Sequence, residues 1–301
     1  MALTDMDIST EKEADRSGHS TKERSPRQHE ILIEARSGWQ AVNLRELTEH
    51  RDLLYYMIWR NVKARYAQSA LGLGWVIVQP LMTLMIFAVI FGRVVQIKAP
   101  GGSPYLLFAF CGLVPWTFFA GALTAASNSL VNEANTLTKV YFPRLFLPFT
   151  QVAGRLVDLA ATLLILLVMM IAYGVLPRLE SVFILPVLIL IALMCALGFG
   201  LWLASLAVQY RDIAMIIGFL AQVWMYVSPV IYPASMVPDR YQMIYGLNPM
   251  VGVISGFRSC LLGHPAMPWI QILESFLVSV TVLVTGAFYF RRTERIFTDV
   301  V

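Results

Sequence analysis

Arg155 and Asp158 are the only charged side chains in the apolar run from Pro148 to Val175, and they stand three residues apart. On a helix that spacing puts both on one face. Charge in hydrocarbon is costly, so the pair reads first as a local ion pair that eases burial. A gate or substrate contact is the alternative. Other chemistry is harder to find. The sequence has no GxxxxGK[ST] phosphate loop and no HExxH motif. His19, His29, His50 and His264 are dispersed, and Cys111, Cys195 and Cys260 are too scattered for a disulfide framework or a thiolate metal site. The acids near apolar runs (Glu133, Asp158, Glu180, Asp212, Asp239, Glu274 and Glu294) form no DxD-like pair. The expectation is therefore no catalytic group and no metal. Aromatic residues offer softer chemistry. Trp116 and Phe119 in one apolar run, and Trp224, Tyr226 and Tyr232 in another, are of a type that stacks on sugar faces along a channel. Rings at the lipid–water boundary are the competing reading, and it suits Trp75, Trp269 and Tyr289.

The elements that carry these side chains follow from composition. The hydrophobic share is 57% and the charged share only 14%, against about 45–50% and about 25% in soluble domains. Residues 1–68 hold 11 acids and 11 bases, whereas 69–301 hold 8 acids and 12 bases, which accounts for the net charge of +4. That pattern describes an integral membrane protein with a polar N-terminal extension. It excludes disordered, disulfide-rich and nucleic-acid-binding classes. Residues 1–30 lack a periodic apolar face and are expected to be disordered. A cytoplasmic lead-in follows over 31–74. Within it Leu54, Ile58, Val62 and Tyr66, with Leu53 and Met57 beside them, share one helical face. Asp52, Arg60, Lys63 and Arg65 are expected elsewhere, as on an amphipathic helix lying in the membrane interface, with Arg51 among its basic residues. The first apolar run comes too late for a cleaved signal peptide, so the first spanning helix directs insertion.

Six spans satisfy the requirement for roughly 20 apolar residues: Trp75–Val95, Tyr105–Val131, Pro148–Val175, Val182–Val208, Ile213–Ala234 and Trp269–Phe290. The fold class is all-α integral membrane, with the membrane domain at 75–290 and a tail at 291–301. An even number of spans puts both termini on one side. The terminal side carries ten Lys and Arg residues, and the opposite loops carry five, Arg93, Lys98, Arg178, Arg240 and Arg258. Both termini are therefore expected in the cytoplasm. The loop from Pro233 to Pro268 is apolar and lightly charged. Gly246 can end one short helix there, and Asn248 can cap the next with Pro249 at its first position. Two short helices dipping back into the outer leaflet are expected, with Gly252 and Gly256 offering a GxxxG approach. Proton-coupled transport is disfavoured, since no acid relay or internal repeat is evident.

Several strings in order resemble the polysaccharide-export branch of the ABC-2 permease family, which serves O-antigen, capsule and teichoic-acid export. They are RDLLYYMIWRNVKARYAQSALGLGWVIVQP at 51–80, GLVPWTFF at 112–119, LTKVYFPRLFLP at 137–148, QYRDI at 209–213, SPVIYP at 228–233 and LNPM at 247–250. The resemblance covers about residues 45–295. It implies a half-transporter in the bacterial inner membrane. Two copies enclose one channel, and two separate cytoplasmic ATPase subunits bind the ATP and Mg. The cargo it implies is a lipid-linked glycan.

By the same resemblance, Leu137, Thr138, Lys139, Val140, Tyr141, Phe142, Pro143 and Arg144 correspond to a coupling helix that docks on the ATPase. Tyr141 and Phe142 would anchor it, with Lys139 and Arg144 on the rim. Tyr210, Arg211 and Asp212 are a second candidate contact. The helix carrying Arg51, Arg60, Lys63 and Arg65 would lie beside the same partner, and the pair at 238–263 would line the outer exit. Export of teichoic acid, lipid or drug is an alternative of the same class. An enzyme acting on polyprenyl-linked sugar is one of another class, disfavoured by the unclustered carboxylates.

Overall fold

The computed structural model describes residues 51–67, 72, 74–97, 99–133, 143–177, 181–263 and 266–294, and every regular element among them is helical. The expectations for residues 1–30, 31–50, Leu137 to Phe142 and the tail beyond Glu294 lie outside the described residues.

Helix α1 (Arg51–Tyr66) has Asp52 in its first turn and Lys63 and Arg65 in its last, the favourable order for the helix dipole. It turns Leu54, Met57 and Asn61 inward and leaves Tyr55, Tyr56 and Trp59 exposed. Leu53, expected on the apolar face, is exposed. Among the described residues five helices are long and apolar enough to cross a membrane, which makes the chain a multi-pass membrane protein. The first is α2 (Gly74–Phe87), which continues as a π-helical turn from Ala88 to Val94. The second, α3 (Tyr105–Ser127), stops short of the expected Val131 and resumes as the single turn α4 (Ser129–Asn132). At the break the Asn128 amide side chain donates to the Thr124 carbonyl and competes with the helix ladder. The third runs from Phe146 to Ala172 with a joint at Arg155, which divides it into α5 (Phe146–Gly154) and α6 (Leu156–Ala172). Helices α7 (Ser181–Gln209) and α11 (Trp269–Thr293) are the remaining two.

Between them lies α8 (Arg211–Val227), 17 residues long and shorter than the expected run to Ala234. Its stop has a local cause. Pro229 disfavours helical geometry at the residue before it, and Ser228 is extended at φ −102°, ψ 150°. Beyond it come α9 (Asp239–Gly246) and α10 (Pro249–Leu262). The signals at this corner hold as written: Asn248 accepts from the Met250 amide at 3.1 Å, and Pro249 takes the first helical position.

Helix α7 packs against α3 and α11 at the centre of the bundle. A Cβ on Gly198 would lie 2.7 Å from the Leu283 amide nitrogen, and one on Gly286 would lie 2.5 Å from the Gly198 carbonyl oxygen. The absent side chains let these two backbones touch, the membrane route to dispersion contact. The GxxxG pair behaves likewise: Gly252 sits against the Gln271 carbonyl and Ser275 of α11, and Gly256 against Leu188 of α7.

The helix ends sort into two levels. At one, Arg144 donates to the Glu294 carbonyl at 2.5 Å, Arg60 pairs with Glu133 at 2.5 Å, and Asn61 donates to Thr150 at 3.3 Å. At the other, Tyr105 donates to the Ile231 carbonyl at 3.1 Å and Ser181 to the Cys260 carbonyl at 2.6 Å.

Candidate functional site

A cavity of about 700 Å³ opens between the last turn of α1 and helices α2, α3, α6 and α8. Its wall is mixed in character. Trp75, Val76, Leu113 and Trp116 contribute apolar surface, Gln79, Thr83, Thr117 and Gln222 neutral polar groups, and Arg65, Tyr66, Arg155 and Asp158 a charged cluster. The joint at Arg155 starts α6 anew, so Asp158 falls in a first helical turn, where a carboxylate is favoured. Asp158 Oδ2 accepts from Arg155 Nη1 at 3.1 Å and from Arg65 Nη1 at 3.0 Å, and Oδ1 accepts from the Tyr66 hydroxyl. The expected pair is thus part of a foursome.

Arg65 corrects the sequence-based placement. It was expected away from the apolar face of α1, yet it lies four residues after the buried Asn61 and points inward. Asp158 explains why, since its Oδ2 accepts from the Arg65 guanidinium at 3.0 Å. Burial pushes the Tyr66 phenol above its ordinary value, and its bond to Asp158 adds to the effect, so it remains a donor. Two guanidiniums face one carboxylate, leaving one positive charge in excess. Arg155 Nε is buried without an acceptor.

The proposed aromatic residues divide. Trp116 reaches the cavity wall but is largely enclosed. Phe119 is 0% exposed, packed 5.4 Å from Trp116 and 5.1 Å from Trp224 between ring centroids. It offers no face to a solute in this conformation, which corrects its placement on a channel wall. The reason is the ring-on-ring packing that joins α3 to α8. Trp224 also packs edge-on against Phe199, and its indole N–H donates to Asn248 Oδ1 at 3.1 Å. Asn248 Nδ2 donates in turn to Ser228 Oγ at 2.9 Å. Trp224 is therefore a tie between α8 and α10. Tyr226 is exposed, and its carbonyl accepts from the Tyr232 hydroxyl at 3.2 Å.

Of the coupling segment, Pro143 and Arg144 are described, and Arg144 is bound to the end of α11. Tyr210 and Asp212 are exposed, while the Arg211 side chain lies outside what is described. Arg51 and Lys63 are exposed, and Arg60 holds Glu133.

Arg258 is a second correction. Counted with the outer loops, it is instead 3% exposed within α10. Its Nε donates to the Phe108 carbonyl at 3.2 Å, Nη1 to Tyr232 O at 3.2 Å and Nη2 to Val230 O at 2.6 Å. The guanidinium carbon stands 3.7 Å over the Phe108 ring. One side chain thus ties α10, α3 and the irregular 228–233 segment together. No local spacing announces this, because the partners lie up to 150 residues away.

The described helices thus form a multi-pass bundle with an amphiphilic cavity. Among the described residues no group of His, Cys, Asp and Glu is placed to hold a metal. Residues 52–262 match the family described as ABC-2 type transporter, and the chain belongs to that family. It is 31% identical over 255 residues to the O-antigen export system permease protein RfbA of Myxococcus xanthus, covering 83% of this chain and 96% of that one. The Klebsiella pneumoniae permease of the same name is 26% identical over 83% of this chain and 95% of its own length. The polysialic acid transport protein KpsM of Escherichia coli is 22% identical over 78% and 91%.

Proposed function

We propose that this chain is the membrane-spanning half of an ATP-driven exporter that carries a lipid-linked polysaccharide outward across the bacterial inner membrane. Two copies form the conduit, and two cytoplasmic ATPase subunits supply ATP and Mg. The observation that carries the reading is the cavity, lined by the charged Arg65, Arg155 and Asp158 together with apolar side chains such as Val76, Leu113 and Trp116. A lipid carrying a polar head and a glycan needs both kinds of surface along its path. The relatives that export O-antigen and polysialic acid support a glycan as cargo.

In this reading α8 is the sixth span, completed by the extended 228–233 segment, and α9 and α10 are the re-entrant pair. The bonds from the start of α3 to Ile231 of the 228–233 segment, and from the start of α7 to Cys260 of α10, support a location at the far level. The terminal level is cytoplasmic, because removing the enclosed Arg258 from the outer loops sharpens the bias of Lys and Arg. The exposed Tyr55, Tyr56 and Trp59 suit α1 to the lipid–water boundary. Residues 137–144 dock on the ATPase, with Tyr141 and Phe142 as anchors.

The test is the double variant Tyr141→Ala and Phe142→Ala. It is expected to insert normally and to lose glycan export by at least tenfold, with ATP hydrolysis no longer stimulated by cargo. Unchanged export refutes the coupling assignment. Failure of any ATP-binding subunit to co-purify with the native chain refutes the half-transporter reading and returns the membrane-enzyme alternative.

A further inference from the structure

Glu133 and Arg144 bracket the ten residues 134–143, and each is bound to a different helix. Glu133 Oε1 accepts from Arg60 Nη2 of α1 at 2.5 Å, across 73 positions. Arg144 Nη1 donates to the carbonyl of Glu294, the residue that follows α11, at 2.5 Å and across 150 positions. The last carbonyls of a helix have no partner within it, and a cation there also suits the helix dipole. Arg144 is therefore engaged within its own chain.

The two helices lead to different regions. Helix α1 carries Arg65 and Tyr66 one turn beyond Arg60, where both line the cavity and donate to Asp158 of α6. Helix α11 runs for 25 residues without an internal proline or break. Near its other end, Ser275 Oγ accepts from the Gly252 amide of α10 at 3.1 Å, and Gly252 rests against the Gln271 carbonyl. Ser275 lies 19 positions before Glu294, about 28 Å at 1.5 Å per residue. An unbroken hydrogen-bond ladder resists axial compression, so a displacement at Glu294 is carried along α11 to the α10 contact.

We propose that Arg60 and Arg144 are positioning residues for the coupling step, fastening the two ends of the 134–143 segment to α1 and α11 respectively. A push on that segment is thereby divided. One part reaches α1 and the cavity lining, and the other reaches α11 and its contact with α10. Arg144 serves this link rather than the rim of the ATPase contact. An ion pair whose arginine is 46% exposed adds little to folding stability, so removing the Arg60–Glu133 pair tests transmission rather than folding. This inference rests on the reading of 137–144 as the ATPase-docking segment, and it states where force applied there goes.

The experiment uses the full-length chain in complex with its ATP-binding subunit, reconstituted in nanodiscs. A nitroxide is placed on α1 through Tyr56→Cys or on α11 through Ile270→Cys, at side chains 71% and 76% exposed. Cys111, Cys195 and Cys260 are buried, so the label goes to the introduced thiol. The signal is the change in the nitroxide spectrum when Mg-ATP is added. Both positions are expected to respond in the otherwise native complex. Arg60→Gln should remove most of the response at 56 and spare that at 270, and Arg144→Met should do the reverse. Combining Arg60→Glu with Glu133→Arg rebuilds the pair with its charges exchanged and should restore the response at 56. Arg144→Lys should recover part of the response at 270, and it keeps the test open should the methionine variant fail to fold. Equal loss at both positions, or loss at neither, overturns the divided linkage. Loss of the ATP-binding subunit from the Arg144→Met complex makes Arg144 a docking contact and overturns its link to α11. Silent labels in a native complex that hydrolyses ATP overturn this proposal alone. If no ATP-binding subunit accompanies the native chain, the exporter reading falls and takes this inference with it.

Discussion

Replacing Arg258 by Met preserves much of the side-chain volume while deleting all its donors. Three carbonyl oxygens then lose a partner: Phe108 O, Val230 O and Tyr232 O, now bonded at 3.2, 2.6 and 3.2 Å. The first belongs to a helix, whereas the other two lie in an irregular segment. A buried acceptor left unpaired costs about 1–3 kcal/mol, so those two would cost about 2–6 kcal/mol. Removing a buried cation returns part of this. The expected net destabilisation is about 2–4 kcal/mol, a large fraction of a total that is typically about 5–15 kcal/mol. Reversible unfolding of the purified chain in mixed micelles measures it. Arg258→Lys should fall between wild type and Met, because an ammonium cannot present the same planar fork to three carbonyls. A loss below about 0.5 kcal/mol for Arg258→Met would refute the view that this side chain ties α10 to α3 and the 228–233 segment.

Asn248→Ala removes both the cap of α10 and the acceptor of the Trp224 indole. It is expected to cost about 2 kcal/mol and to lower the thermal midpoint, with the Trp224 environment reporting the change by fluorescence. Asn248→Asp, which keeps both acceptor bonds, should cost less. Gly198→Leu forces a side chain into the Leu283 backbone and should destabilise by about 1–3 kcal/mol; unaltered resistance to heating in detergent would contradict the backbone contact between α7 and α11.

What the sequence makes legible here is whatever depends on neighbours a few residues apart. Apolar run length marks the five long helices, and Gly246, Asn248 and Pro249 mark the corner between α9 and α10. The early end of α8 is also written locally, in Pro229, although counting apolar residues alone carries the span to Ala234. The ion pair Arg155–Asp158 is visible because its partners share a helix turn. The rest depends on distant contacts. Arg65 meets Asp158 across 93 positions, and Arg258 meets Phe108 across 150. Hydropathy and charge counts treat each of these arginines as a surface or loop cation. Only packing reveals that each is held inward by groups no spacing rule connects. Trp224 and Phe119 mislead for a related reason, because the aromatic surface that suits a sugar also suits another ring.

The tie from Trp224 to Asn248 has a mechanical consequence. It fixes one end of α8 to the capped start of α10, while at the opposite end Tyr210, the single residue between α7 and α8, and Asp212 are exposed. Trp224 lies thirteen positions after Arg211, a lever arm of about 20 Å at 1.5 Å per residue. A tilt of roughly ten degrees about the pinned end displaces the α7–α8 junction through about 3–4 Å over that arm. Force applied at Tyr210 and Asp212 therefore meets a pivot at the other end of α8, and the short helix moves as a stiff rod between them.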